Sequence, residues 1–196
     1  MQTKALTVAL SLLALAGAGC WQKSVFPFYR TSDLIRDPAL LGTWAEPDKA
    51  KHDRQSWVFS EDTGKTYRVV FKHKETELQF DGHTFDLGGV RLLDLYSRER
   101  SISGIPAHHL FRYSVTDGAL QLQLLSGEWI KERVKTHPNE IAHVRAHDPE
   151  HPDDPDKGEI VLTDRTEQLQ KFILGHLHDE GFFEKAETFT KIAAQP

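Results

Sequence analysis

His83 and Asp94 have the types and the spacing to do chemistry together. They stand at equal distances from Gly88-Gly89. A two-residue turn there pairs Leu87 with Val90, Phe85 with Leu92 and His83 with Asp94. A buried carboxylate beside an imidazole can orient a general base, or it can simply satisfy a polar pair at a rim. No partner arranged as a nucleophile beside them is apparent from the sequence. His143, His147 and His151 recur every fourth residue among carboxylates, a spacing that binds a metal when a helix puts two histidines on one face. Pro149 and Pro152 break any helix there, so no metal site is expected and the stretch reads as a polar loop. No Gly-rich phosphate loop and no G-x-S-x-G elbow occurs, and no cofactor is implied.

The elements that must position these residues are short strands joined by tight turns. Asp117-Gly118 divides two alternating runs and pairs Val115 with Leu120, Tyr113 with Leu122 and Phe111 with Leu124. Asp81-Gly82 carries the same signal and would pair Leu78 with Phe85 and Phe80 with His83. A three-residue loop at Asp62-Thr63-Gly64 would oppose Phe59 to Tyr67 and Trp57 to Val69. These turns place Trp57, Phe59, Tyr67, Phe80, His83, Phe85, Asp94, Phe111 and Tyr113 on one inward face, the candidate ligand-binding residues. Val69, Phe71, Leu78, Leu87, Val90, Leu92, Val115, Leu120, Leu122 and Leu124 share that face.

From Leu41 to Leu125 the pattern predicts seven or eight antiparallel strands with no crossover helix. A curved sheet with one apolar face removes its edges by closing on itself. The expected class is mainly β, an up-and-down barrel, with a two-sheet sandwich as the alternative. Beyond it, residues 127–137 read as a short helix ended by Pro138, and Ile141–Arg145 and Glu159–Leu162 as strands. Residues 148–156, with three Pro and five acidic residues, form no packed element. A last helix, capped by Asp164 and Glu167, presents Leu169, Phe172, Ile173 and Leu177 and ends at Gly181. It is expected to pack outside the barrel on strand 90–96, whose apolar residues occupy both faces.

Composition bounds the function. The chain has 196 residues, 24 Lys and Arg against 29 Asp and Glu, net charge −5, and one cysteine. That is globular composition without a disulfide framework or a Cys-rich metal site. The acidic balance argues against nucleic acid as a partner.

The start of the chain is an address. Lys4 precedes Ala5–Leu15, an uninterrupted run of about 11 Ala, Leu, Val, Thr and Ser residues, too short to span a bilayer and suited to a signal peptide. Gly17-Ala18-Gly19-Cys20 follows. This resembles the lipobox of bacterial lipoproteins, with Gly17 where the family usually carries Leu. The resemblance implies a signal peptide over 1–19, lipidation (palmitate among the chains) of Cys20 and a membrane partner held through the anchor. Trp21 after the cysteine, rather than Asp, implies the outer membrane, facing the periplasm. Residues 20–40 are then a tether and pre-barrel segment, whose Trp21, Phe26, Phe28, Tyr29, Lys23 and Arg30 either lie at the headgroups or cap the domain.

Gly42-Thr43-Trp44 opens the first strand. It resembles the G-x-W with which lipocalins and their calycin relatives begin their barrels, the Trp closing the base. The resemblance covers 41–125 and implies a lipocalin-like barrel within a single domain, 41–196, with the C-terminal helix outside. The leading expectation is a non-enzymatic envelope lipoprotein that binds a small apolar ligand in the barrel. A structural or interaction lipoprotein with a filled barrel, and a hydrolase or isomerase using His83 and Asp94, are the alternatives. Oligomeric state is not legible.

Overall fold

The structure, a computed structural model, describes residues 21–50, 52–97, 106–146 and 158–192. In chain order its strands are β1 Lys23–Ser24, β2 Leu34–Ile35, β3 Gly42–Ala45, β4 Ser56–Glu61, β5 Thr66–His73, β6 Thr76–Leu87, β7 Val90–Ser97, β8 His108–Thr116 and β9 Ala119–Leu124. Helix α1 Gly127–Thr136, β10 His143–Ala146, β11 Glu159–Leu162, helix α2 Thr166–His176 and β12 Glu187–Ile192 follow. Strands β3 to β9 form a continuous antiparallel meander, and β12 pairs with both β9 and β3. The eight strands thus close into an up-and-down barrel, with a helix packed outside it, and no edge of the ring is left open. The sandwich alternative does not occur. The eighth strand comes from the far end of the chain, after an insertion of two helices and two strands.

Three of the four turns fall where the sequence puts them. The Asp117-Gly118 hairpin has the expected pairs, Val115 with Leu120, Tyr113 with Leu122 and Phe111 with Leu124. Gly88-Gly89 turns as expected and sets His83 opposite Asp94. The turn after Glu61 holds Gly64 at φ +64°, but Phe59 pairs with Val69 and Trp57 with Phe71. A shift of two residues leaves every side chain on its expected face.

Asp81-Gly82 is not a turn. Both residues lie inside β6, opposite Arg68 and Tyr67 of β5 and Tyr96 and Leu95 of β7. The chain turns at Lys74-Glu75, with Lys74 at φ +53°. Gly82 is needed for space: a Cβ there would stand 2.7 Å from Val69 Cγ2, a close approach that favours glycine within a strand. The correction reverses a face. With a turn at 81–82, Phe80 and Phe85 would share one side. In a continuous strand, five residues apart, they point to opposite sides.

Two cores result. Inside the barrel lie Trp57, Phe59, Tyr67, Val69, Phe71, Phe80, Leu93, Leu95, Phe111, Tyr113 and Phe189 with their neighbours. Outside, Phe85, Leu92 and Leu110 pack under Leu169, Phe172, Ile173 and Leu177 of α2, with Ile130 and Val134 of α1 and Ile160 and Leu162 of β11. Leu87 and Val90 belong to this outer core as well. The helix therefore covers β7 as the doubly apolar pattern of that strand requires. Its first turn differs from expectation: Asp164 accepts the Ala142 N–H at 2.7 Å instead of capping α2. Helix α1 is capped by Ser126, whose hydroxyl accepts the Trp129 N–H. Among the described residues no helix is long and apolar enough to cross a membrane.

The segment expected as a tether is packed from Trp21 onward. Lys23–Ser24 runs parallel to β11 and meets β8 at His108. Gln22 donates to the Ile160 carbonyl at 2.9 Å, and Lys23 pairs with Glu159 at 2.8 Å. Trp21 and Phe28 are buried, while Phe26 is exposed. Cys20 and the 1–19 signal segment lie outside the described residues, as do His147 and His151.

Candidate functional site

The barrel has two ends with different chemistry. Its base is where β3 begins and β12 ends. There the one-turn helix Pro38–Leu40 delivers Leu40 and Leu41 to the inner core. Trp44 is buried against them and its Nε1–H donates to the Leu40 carbonyl at 2.7 Å. Lys191 sits over the Trp44 ring, 5.1 Å from its centre. The Asp37 N–H donates to the Tyr67 hydroxyl at 2.7 Å, and the Tyr113 hydroxyl donates to Asp37 Oδ2 at 3.0 Å. Trp44 of the G-x-W thus closes the base.

The mouth is where β4, β6 and β8 begin. Trp21 enters the lumen here, only 3% exposed. Its ring lies 6.0 Å from Trp57 and 5.8 Å from Phe80, both stacked, and edge-on to Phe71 at 5.9 Å and Phe111 at 5.4 Å. Four of the candidate ligand residues, Trp57, Phe80, Phe111 and (deeper) Phe59, therefore pack with the chain's own indole or with one another. Tyr67 and Tyr113 face the lumen with their hydroxyls tied to the base. Beside Trp21 a cleft of about 30 Å³ remains, lined by Trp57, Phe71, Phe111, Gln55, Glu184, Lys185 and Glu187 among others. That is the space of roughly two water molecules. Burial, with Glu46 and Glu184 nearby, pushes the Glu187 carboxyl up to about 7. Burial also raises Glu184.

His83, Phe85 and Asp94 do not line the lumen. They stand on the outer face, because β6 runs straight through Asp81-Gly82 and carries the opposite parity past it. His83 and Asp94 are cross-strand partners, yet the Asp94 carboxylate, 0% exposed, serves other groups. Its Oδ1 accepts from His108 Nδ1 at 2.7 Å and its Oδ2 from the Phe28 N–H at 2.9 Å. His83 Nε2 meets the Thr66 hydroxyl at 3.2 Å, while its ring stacks on Tyr29 with centroids 4.6 Å apart. Burial lowers the His83 pKa, and burial beside Asp94 and Asp81 pushes the Tyr29 hydroxyl up to about 12. Both oxygens of Asp94 thus hold structure: one fixes the His108 ring, the other latches the N-terminal segment onto the barrel. Ser24, the strand partner of His108, is buried and donates to the Phe26 carbonyl at 2.8 Å, so it is not presented as a nucleophile.

Sequence reasoning missed His108 and Glu187, and it left Trp21 between the headgroups and a cap on the domain without placing it in the lumen. The adjacent His108-His109 gave no pattern, but a strand puts one on each face, and His109 points inward, where burial lowers it to about 4. Glu187 lies in a strand whose two large apolar residues, Phe189 and Ile192, are three apart and so do not alternate with period two. Among the described residues no group of His, Cys, Asp and Glu is arranged to hold a metal. The chain matches no protein-family model, no curated protein and no solved structure.

Proposed function

We propose that the protein is a lipoprotein of the bacterial envelope, anchored through acyl chains on Cys20, whose filled barrel is a non-enzymatic interaction module. The burial of Trp21 inside the lumen carries this reading. A ligand of acyl-chain size would need the volume that this indole and its four aromatic neighbours fill. The working surface is then the outside of the barrel. Trp21 also fixes where an anchor would act: adjacent residues span at most about 3.6 Å, so acyl chains on Cys20 would hold the barrel mouth at the membrane. The lipobox resemblance supports the outer membrane, facing the periplasm.

Two measurements test this. Wild type should enter the detergent phase on detergent phase separation and Cys20→Ser should not, since two or more acyl chains give stable anchoring. Wild type partitioning into buffer would remove the anchor. Fatty acids of several chain lengths should leave Trp fluorescence unchanged. A saturable response would restore the reading in which the barrel carries an apolar ligand.

A further inference from the structure

The N-terminal aromatic stretch divides in two once folded. Trp21 enters the lumen and Phe28 the outer core, both buried, whereas Val25 and Phe26 between them are 42% and 38% exposed. Among the described residues they are the only exposed large apolar side chains adjacent in sequence; Val144, Leu174 and Ile192 stand singly. Single apolar residues on a surface are ordinary, whereas contiguous ones mark contact sites.

The pair sits on a braced tip. Ser24 pairs with His108, the first residue of β8, so the chain leaves β1 at the barrel mouth. It then returns along the outer face to Phe28 and to β2 on β6. The Val25 N–H donates to the Leu162 carbonyl at 2.9 Å, and the Ser24 hydroxyl donates to the Phe26 carbonyl at 2.8 Å. The Thr166 hydroxyl donates to the Pro27 carbonyl at 2.8 Å, and Asp94 accepts the Phe28 N–H. Pro27 has no N–H to satisfy. Bonding of the Val25 N–H and of both carbonyls lowers the cost of moving this tip out of water.

What the tip meets follows from where the chain comes from. Cys20 precedes Phe26 by six positions, a reach of at most about 22 Å, so acyl chains on it would keep the tip beside the bilayer. Two partly exposed side chains fall far short of the roughly 800 Å² per partner that a stable protein interface buries. A bilayer needs no complementary surface, and an anchor supplies the effective concentration that lets a weak contact form. The nearest cation on the segment, Lys23, is already paired with Glu159, so the attraction is apolar.

We propose that Val25 and Phe26 are a second membrane contact, which enters the boundary between headgroups and acyl chains and holds the barrel mouth-down on the bilayer. This rests on the anchored reading above and adds to it an orientation, which a lipidated cysteine alone does not impose.

Phe26→Cys is spin-labelled in the acylated protein, whose Cys20 sulfur is blocked, and placed in vesicles of phosphatidylethanolamine with phosphatidylglycerol. Ile192→Cys, exposed at the base end of β12, carries the label as the far-end reference. Circular dichroism of each variant should match wild type. On vesicle binding the label at 26 should lose most of its accessibility to a water-soluble nickel chelate and gain accessibility to oxygen, while the label at 192 changes in neither. Val25→Cys, labelled with Phe26 intact, should show the same loss, and adding Phe26→Ser should largely undo it. Vesicle-bound protein whose label at 26 stays as open to the chelate as that at 192 overturns the proposal and leaves the anchor standing. Protein that does not bind vesicles removes the anchor and the proposal together. Protection already present without lipid when Phe26→Cys is labelled in the Cys20→Ser chain, with spin–spin broadening, assigns the tip to a second copy and overturns the proposal.

Discussion

One strand, β12, connects two unlike ends of the same barrel. Its alternate residues Glu187, Phe189 and Lys191 fall at the mouth, in the core and at the base. At the base, Lys191 lies on Trp44, Trp44 donates to Leu40, and Asp37 takes both tyrosine hydroxyls. At the mouth, Glu187 lies among Glu46, Glu184 and Lys185, and two indoles almost as buried as Trp44 have no acceptor. Large aromatic side chains are buried at both ends, so hydrophobic burial alone does not separate them. Polar satisfaction does. The inward donors named at the base all have acceptors, whereas the indoles of Trp21 and Trp57 do not; His83 Nδ1 on the outer face and Glu159 Oε1 also lack partners.

The largest effects should come from removing the two closing indoles. Trp44→Ala and Trp21→Ala should each cost about 3–5 kcal/mol in denaturant unfolding, the usual range for a buried Trp. A negligible cost at Trp21 would mean that the mouth is not truly plugged. Phenylalanine at the same positions sharpens the contrast, since both changes remove similar volume. Trp44→Phe leaves the Leu40 carbonyl unmatched and should cost about 1–3 kcal/mol more than Trp21→Phe, which strands no partner. Equal losses would erase the distinction between the ends.

A smaller loss, about 1 kcal/mol, is expected for Tyr113→Phe, which removes one hydrogen bond to Asp37 at the base. A pH dependence confined to the mouth is also expected. Glu187 has its folded-state pKa raised from 4.5 to about 7. Its contribution to stability is therefore fully present below about 4.5 and fades as pH rises through about 7. Unfolding midpoints of wild type should fall relative to Glu187→Gln across that window. Parallel curves for the two proteins would show that Glu187 does not titrate there.

The turns show how far local signals reach. Asp117-Gly118 and Asp81-Gly82 are the same dipeptide between alternating runs, yet only the first is a turn. Gly118 sits at φ +76° with open space around it, whereas Gly82 is a strand residue hemmed in by Val69. A dipeptide cannot say whether its glycine serves the turn's dihedral or a neighbour's side chain. The true turn at Lys74-Glu75 carries no Gly, Asn or Pro. Because strand parity is binary, that one misplacement turned His83, Phe85 and Asp94 from the outer face to the lumen, while Trp57, Phe59, Tyr67, Phe80, Phe111 and Tyr113 were placed correctly.

While the Trp44 base was implied only by the G-x-W resemblance, the sequence alone determined an antiparallel meander after Gly42 with three of its turns, the outer helix and the pairing of His83 with Asp94. These follow from period-two alternation, turn residues and helix periodicity, all of which act over a few positions. Only the tertiary structure decided that β12 closes the ring, that Asp94 serves His108, and that Trp21 fills the mouth beside Glu187. Those contacts join residues that stand far apart in the chain, and a lone indole or carboxylate carries no local pattern saying which cavity will receive it.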